Sequence, residues 1–347
     1  MSPGTPRGHI VGSYGLVAFT ALLFLVYSAV LPDTFPTRDN VSSILSNQSV
    51  PALLALGATI PIAAGKFDLS IGFGLGLAHV LVMHLIVDEG MPWPLACFAV
   101  VLGGVLSGAL NGAIVEFASI DSFIATLGTG SIMYALTGWL TEGSRIVPGP
   151  EGLPTSFTGL YDARFLGLPV PAFYVLAAVI VLWVVLERLP LGRYLYVVGS
   201  NPRAAEIMGI PSRRYSVYAF AGSGLVTGIA GFLLAAQQQI GNPSVGLEYL
   251  LPAFVGALLG STTIRPGRAN ALGTLVAVSV LAVGLAGIGQ LGAQFWATPL
   301  FNGATLLLAV GLAGYASRRR LRTRATTARR PPVAKSGSSA SRADETL

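Results

Sequence analysis

Charged residues are scarce in this sequence. Only 10% of its 347 residues are charged and 53% are hydrophobic, whereas an ordinary soluble domain carries roughly a quarter charged residues. The net charge of +6 comes from the end of the chain, because nine of the 21 lysines and arginines follow Ala316. This composition argues against a soluble enzyme and against a nucleic-acid partner, and it favours a membrane protein.

Residues that build catalytic centres are also nearly missing. The single cysteine, Cys97, supports neither a disulfide nor a multi-cysteine metal site within one chain, and the three histidines lack the H-E-x-x-H spacing of a zinc site. Gly65 and Lys66 are followed by Phe67, so this stretch is not a P-loop for ATP. We therefore expect no catalytic, metal or cofactor site, and we expect any ATP to be hydrolysed by another subunit.

Long apolar stretches run through most of the chain. A membrane-spanning helix needs about 20 mostly apolar residues to cross roughly 30 Å of hydrocarbon. Ten stretches predict an all-α, polytopic transmembrane domain over residues 10–316, between a cytoplasmic N-terminus, 1–9, and a basic, disordered cytoplasmic tail, 317–347, that contacts anionic lipid. The predicted spans are 10–31, 44–65, 69–87, 93–115, 123–140, 170–186, 215–240, 249–264, 269–291 and 295–316.

The distribution of lysine and arginine predicts that both termini are cytoplasmic. Basic residues are retained on the cytoplasmic side of a membrane, and ten spans place 18 of them inside and three outside. The weakest span, 249–264, is short and contains Pro252. Treating it as a re-entrant element moves the tail outside and reverses the charge bias, so the sequence favours ten spans.

Glycines recur four residues apart, as in Gly104, Gly108 and Gly112, or Gly224 and Gly228. This spacing lets helix backbones approach closely in lipid. We expect it to serve tight packing within one bundle rather than a specific dimer seam.

The interiors of the predicted spans are almost free of ionisable residues. Lys66, Asp68, Glu116, Asp121 and Glu187 all fall at span ends on the cytoplasmic side. A proton-coupled carrier or an intramembrane hydrolase needs such groups at mid-depth. Composition leaves a transporter subunit, a membrane enzyme and a channel open, and the missing charges disfavour the enzyme and an ion-driven mechanism.

The longest basic cytoplasmic loop, 187–214, contains a short predicted helix. Asn201 is a suitable N-cap, Pro202 fits the first helical turn, and Gly209 is a natural stop. A short capped helix between two spans suits the docking of a cytosolic protein. A solvated connector held inside by its arginines explains the same residues equally well.

Four stretches together resemble the permease subunits of bacterial ATP-binding cassette (ABC) importers of the ribose type. They carry a G-x-x-DLS-x-G junction, a G-x-x-NG followed by TLGT, the basic cytoplasmic loop, and a late glycine-rich loop. The chain departs from the family pattern at Lys66 and Phe67, and again at Asp121 and Ser122. The four stretches are 55–78, 108–129, 191–210 and 260–277.

The resemblance implies an ABC importer permease fold in the cytoplasmic (inner) membrane. It implies a second permease subunit, in a homodimer or heterodimer, with ATPase subunits inside and a sugar-binding protein outside, moving a ribose- or xylose-like sugar or related polyol inward by alternating access. A branched-chain amino acid permease and an ATP-independent facilitator are the alternatives. The ATPase-coupling segment is then Asn201, Pro202, Arg203, Ala204, Ala205, Glu206, Met208 and Gly209.

The DLS-x-G stretch forms a second candidate site, an inner-turn motif. Asp68 either fixes a tight turn between two path-lining helices by pairing with Lys66, or only N-caps the third span, and we favour the cap. The motif consists of Phe67, Asp68, Leu69, Ser70 and Gly72.

Candidates for the substrate path are uncharged hydrogen-bonding residues, because sugars carry no charge. Ordinary hydrogen bonding between helices explains each of them about as well. The outer loop 141–169 is either a site for the binding protein or a passive connection. The path candidates are Asn111, Thr126, Thr129, Gln237, Gln238 and Asn242.

Overall fold

The protein is built almost entirely of helices. Its computed structural model describes residues 6–308 and 311, so the predicted tail 317–347 lies outside the described residues. A short hairpin pairs β1, Arg164–Phe165, with β2, Leu168–Pro169. The helices are α1 Pro6–Val30, α2 Arg38–Asn47, α3 Ser49–Ala63, α4 Ser70–Val87, α5 Trp93–Phe117, α6 Ser122–Thr141, α7 Thr155–Asp162, α8 Val170–Glu187, α9 Pro190–Ser200, α10 Pro202–Ile207, α11 Ser212–Gln238, α12 Gly246–Gly260 and α13 Ala271–Gln290, with α14 Ala297–Leu308.

A helix coincides with each of the ten predicted spans, and the all-α, polytopic prediction is confirmed. In the described part of the chain, six helices are long and apolar enough to cross a membrane, or seven if α2 and α3, which are bent by 42° at their junction, form one span. Helix α12 has 15 residues and is therefore about 22 Å long at 1.5 Å per residue. It is shorter than the roughly 30 Å of hydrocarbon, and the number ten stays a prediction.

Several helices begin where a polar side chain accepts a hydrogen bond from a free backbone amide. Thr37 caps α2, Asp121 caps α6, Asn201 caps α10 and Asn270 caps α13. Such caps satisfy donors that have no partner inside the helix. They explain why apolar runs with little amphipathic character start at defined positions.

Helix α11 lies at the centre of the bundle, packed against α3, α4 and α5. At the crossing of α11 and α5 the backbones nearly touch: a Cβ atom on Gly224 would lie 2.0 Å from the Gly104 carbonyl oxygen, and one on Gly108 would lie 2.2 Å from that of Phe220. The expectation that these glycines serve packing within one bundle is confirmed. By contrast, fewer than a third of the residues along the apolar windows of α5, α6 and α8 are buried, so each of these helices has a face on the outside of the bundle.

The predicted outer loop 141–169 is folded against the bundle. It contains α7 and the hairpin, and Ile146 forms a β-bridge with Gly241. The Tyr161 hydroxyl donates a 2.6 Å hydrogen bond to the Ser46 carbonyl oxygen at the end of α2, and the Trp93 indole N–H donates to Ser156 Oγ. These contacts fix the loop to three other parts of the chain.

Replacing Gly224 tests the close crossing of α11 and α5. We expect Gly224→Ala to destabilise the protein by about 1–3 kcal/mol, the usual cost of overpacking, and to lower the melting temperature in detergent. Gly103→Ala is the matched control, because a Cβ atom there meets nothing within 4 Å. Equal melting temperatures for the two variants would contradict the crossing.

Candidate functional site

Four buried polar side chains from the connection before α4 and from α4, α5 and α11 meet, and we call Asp68, Ser70, Asn111 and Ser223 the inner cluster. Ser70 donates to Asp68 Oδ1 through Oγ at 2.5 Å and through its backbone N–H at 3.1 Å. Ser223 Oγ donates to Asp68 Oδ2 at 2.8 Å, and Asn111 Nδ2 donates to Ser70 Oγ at 2.8 Å. The cluster therefore joins the connection between α3 and α4 to α4, α5 and α11.

The less favoured of the two interpretations of Asp68, an ion pair with Lys66, is wrong. Lys66 Nζ lies 2.7 Å from Glu116 Oε1 at the end of α5, because Lys66 points away from the buried side of the turn. Among the described residues no cation pairs with Asp68, which is only 2% exposed. Burial raises the pKa of its carboxyl, and the hydrogen bonds from Ser70 and Ser223 lower it. The favoured prediction, that Asp68 is the N-cap of the third predicted span, is wrong as well, because the N-cap of α4 is Leu69 and Asp68 lies one residue before it. Asp68 Oδ1 accepts a hydrogen bond from the Ser70 backbone N–H, and Asp68 Oδ2 accepts one from α11.

The turn itself is fixed to α6. The backbone N–H of Phe67 donates to Ser122 Oγ at 3.2 Å, and that of Leu69 donates to Thr126 Oγ1 at 2.9 Å. Thr126 Oγ1 in turn donates to the Ser122 carbonyl oxygen at 2.7 Å. Phe67 and Ser122 thus contact each other.

Gly72, the last residue of the motif, brings α4 against α12. A Cβ atom there would lie 2.7 Å from the Leu250 Cβ and 3.0 Å from the Gly246 carbonyl oxygen. Only glycine allows the two helices to cross at this distance. The five motif residues therefore form one turn that contacts α5, α6, α11 and α12.

The cytoplasmic segment predicted to be helical is α10. Asn201 Oδ1 accepts a 3.0 Å hydrogen bond from the Ala204 backbone N–H, and Pro202 occupies the first turn. Gly209 has φ +78°, a left-handed conformation that ends the helix. Ala205 is fully buried and holds the helix against its neighbours α9 and α11.

The outward face of α10 is apolar at its tip. Ile207 is 87% exposed and Met208 is 63% exposed, with the exposed Arg203 nearby on the same short helix. Glu206 accepts a hydrogen bond from Ser212 Oγ at the start of α11, which fixes the end of α10. Sequence reasoning missed Ile207, although an isoleucine in an otherwise basic cytoplasmic loop is itself a signal.

Three of the path candidates lie at the inner side. Asn111 and Thr126 belong to the contacts around Asp68, and both are fully buried. Thr129 Oγ1 donates to the Ala125 carbonyl oxygen of its own helix at 3.1 Å. These side chains are engaged in interhelical or intrahelical bonds.

The other three candidates lie at or just after the C-terminal end of α11 and do not contact the first group. Gln237 Nε2 donates to Asn47 Oδ1 at 3.4 Å, and Gln238 is half-buried at the last position of α11. The backbone N–H of Asn242 donates to His79 Nε2 at 3.0 Å, with His79 fully buried in α4. The six residues therefore form two separate groups rather than one site.

Comparison with known proteins assigns these features to a family. Residues 40–310 match the family described as "Branched-chain amino acid transport system / permease component". The chain is 32% identical to the ribose import permease protein RbsC of Haemophilus influenzae, over 76% of this chain and 82% of the relative. It is also 32% identical to RbsC of Bacillus subtilis, over 83% and 88%. It is 26% identical to the D-allose transport system permease protein AlsC of Escherichia coli, over 86% and 90%. No solved structure matches the chain.

A double-mutant cycle tests whether Asp68 binds α11. We expect Asp68→Ala and Ser223→Ala each to destabilise the protein, because each leaves a buried polar group without a partner, at about 1–3 kcal/mol. The double variant should cost less than the sum, with a coupling of about 0.5–3 kcal/mol, measured by thermal unfolding in detergent. Asp68→Asn is the conservative control and should be mild, and additive costs would show that Asp68 is not coupled to Ser223 and acts through Ser70 only.

Proposed function

The chain belongs to the family of permease subunits of bacterial ABC importers of the sugar type, and from this membership we propose how it works. It is a multi-pass protein of the inner membrane and a transporter component rather than an enzyme. We propose that it carries a monosaccharide of the ribose class inward by alternating access. ATPase subunits would bind its cytoplasmic face, a sugar-binding protein its outer face, and a second permease subunit would complete the path.

The exposed apolar tip of α10 carries this proposal. Ile207 and Met208 expose most of their surface to the cytoplasm, on a helix capped at one end by Asn201 and bonded at the other through Glu206. Burying each side chain in a partner contributes about 1.5–3 kcal/mol. A protruding helix with fixed ends suits insertion into a cleft of an ATPase, whereas a passive connector has no need of exposed apolar residues.

The position of the charges supports an external energy source. Lys66 and Asp68 lie in the connection between α3 and α4, Glu116 lies near the end of α5, and each of the three is bonded to a neighbour. His79, an ionisable side chain inside α4, is fully buried and accepts a hydrogen bond from the Asn242 backbone N–H. A carrier driven by protons or ions needs such groups at mid-depth. In the proposed mechanism the energy comes instead from ATP that a partner subunit binds. The ATP-bound partner would bind either the inward-open or the outward-open state of the permease more tightly, and this would shift the equilibrium between the two states.

An uncharged substrate fits the polar groups better than an amino acid does. The path candidates offer amide and hydroxyl groups, such as Gln237, Gln238 and Thr129, and a zwitterion would favour charged partners. RbsC and AlsC are named for ribose and allose. These observations favour a sugar over a branched-chain amino acid, the substrate class in the family's description.

Affinity purification of the chain from its native membranes in mild detergent tests the proposed partners. We expect mass spectrometry to identify a P-loop ATPase and a secreted binding protein, and thermal-shift screening of that binding protein with monosaccharides to identify the sugar. An unrelated membrane protein of the same cells is the control. Recovery of the chain alone, with uptake that persists after the ATPase is deleted, would favour a facilitator.

A proline in α10 tests the docking role. Glu206→Pro removes a backbone donor and distorts the last turn of the helix, so we expect normal insertion in the membrane but loss of the ATPase from the purified complex and of sugar uptake. Glu206→Ala is the control, since it removes only the bond to Ser212 and should keep most activity. Normal uptake with Glu206→Pro would overturn the docking role.

A further inference from the structure

The backbone of α9, the helix that precedes α10, contacts the connection between α3 and α4, and we call this connection, residues 64–69, the inner turn. Gly199 lies near the end of α9, two residues before the cap of α10, and Gly65 has φ +73° directly after α3. A Cβ atom on Gly199 would lie 2.4 Å from the Ala63 carbonyl oxygen and 2.8 Å from the Gly65 N. A Cβ atom on Gly65 would lie 2.9 Å from the Gly199 carbonyl oxygen. The two backbones have no space between them.

The inner turn continues from this contact into the inner cluster within three residues. After Gly65 the chain passes through Lys66, which pairs with Glu116 on α5, and Phe67, which donates to Ser122 on α6. It then reaches Asp68, whose hydrogen bonds connect to α4 and α11. A displacement of the turn is therefore passed to four helices.

Helix α9 is also fixed at its other side. The Tyr196 hydroxyl donates a 2.6 Å hydrogen bond to the Ala269 carbonyl oxygen, and the Arg268 guanidinium lies 3.5 Å from the centre of the Tyr196 ring. Asn270, next in the chain, caps α13 and also donates to the carbonyl oxygens of Gly260 and Thr263. These bonds hold α9 against the 261–270 loop at Tyr196, while Gly199 packs against Gly65 on the other side.

We infer that Gly199 and Gly65 are positioning residues through which α9 passes a displacement of α10 to the inner cluster. The inference rests on the proposed function, because it assumes that an ATPase moves α10. Close-packed groups transmit a displacement instead of absorbing it, since they leave no space to compress. A side chain at position 199 would separate α9 from the turn and weaken this transmission, while the docking surface at Ile207 and Met208 stays intact.

The test uses a reporter on the turn in the purified complex of the chain with its ATPase. Cys97, which is buried, is replaced by serine, and Phe67→Cys introduces a thiol at a position that is 42% exposed. Trapping the ATPase with ATP and vanadate should change the rate at which a maleimide reacts with the thiol introduced by Phe67→Cys. We expect Gly199→Ala to reduce this change by about tenfold, within the range typical of coupling between sites, while the ATPase still co-purifies and hydrolyses ATP.

Matched variants separate transmission from folding and docking. Gly128→Ala should keep the full response, because a Cβ atom there meets nothing within 4 Å. Gly65→Ala disturbs the same contact from its other side and should resemble Gly199→Ala. A full response in Gly199→Ala, or no response in the parent complex, would overturn the inference alone. If Gly199→Ala and Gly65→Ala both lost the ATPase while Gly128→Ala retained it, the contact would serve assembly of the complex, and the inference would again be overturned. Absence of any ATPase from the parent preparation would overturn the proposed function itself.

Discussion

Close backbone contact at glycine is the constraint on which the rest of the structure depends. Lipid solvates apolar side chains as well as a neighbouring helix does, so helices in a membrane gain little from hydrophobic burial and associate through close packing and hydrogen bonds. Gly104 and Gly224 join α5 to α11, and Gly72 and Gly246 join α4 to α12. Each pair fixes how far apart two helices lie and how they are rotated about their axes.

The positions of the polar groups follow from these crossings. With α11 held against α5 and α4, Ser223 reaches Asp68 and Asn111 reaches Ser70, and a buried carboxylate is stabilised by hydrogen bonds instead of by a cation. An unpaired polar group in such a place costs about 1–3 kcal/mol. The residues around Asp68 are therefore held together by directional hydrogen bonds, whereas the lipid-facing surface of the bundle consists of apolar side chains.

In the proposed transport cycle α10 moves with the ATPase, and other elements of the bundle move with α10. Helix α10 exposes Ile207 and Met208 and is fixed at both ends, and α9 connects it to the inner turn and to the 261–270 loop. The same type of contact that fixes the crossings in the membrane, backbone against backbone at glycine, recurs between Gly199 and Gly65. In the proposed cycle such contacts, rather than a change of charge within the permease, pass the motion of α10 into the bundle.

Sequence alone determined the parts of this protein that depend on local chemistry. Long apolar runs fix which segments are helical, and a polar residue with a following proline, as at Asn201 and Pro202, fixes where a short helix begins. Glycines spaced four residues apart correctly predicted close packing within the bundle. Each of these signals lies within a few residues of the feature that it predicts.

Tertiary structure decided which residues meet. Ser223 is 155 residues from Asp68 in the chain, and only the rotation of α11 set by its glycines brings the two together, so the pairing of Asp68 with its near neighbour Lys66 was wrong. Sequence reasoning placed the six path candidates in three different spans, and the structure shows which of them have partners: Asn111 and Thr126 are bonded around Asp68, whereas Gln237 and Asn242 bond to Asn47 and His79. The contact between Gly199 and Gly65 has no sequence signal, since neither glycine belongs to a repeat, and it exists only because α9 folds back onto the end of α3.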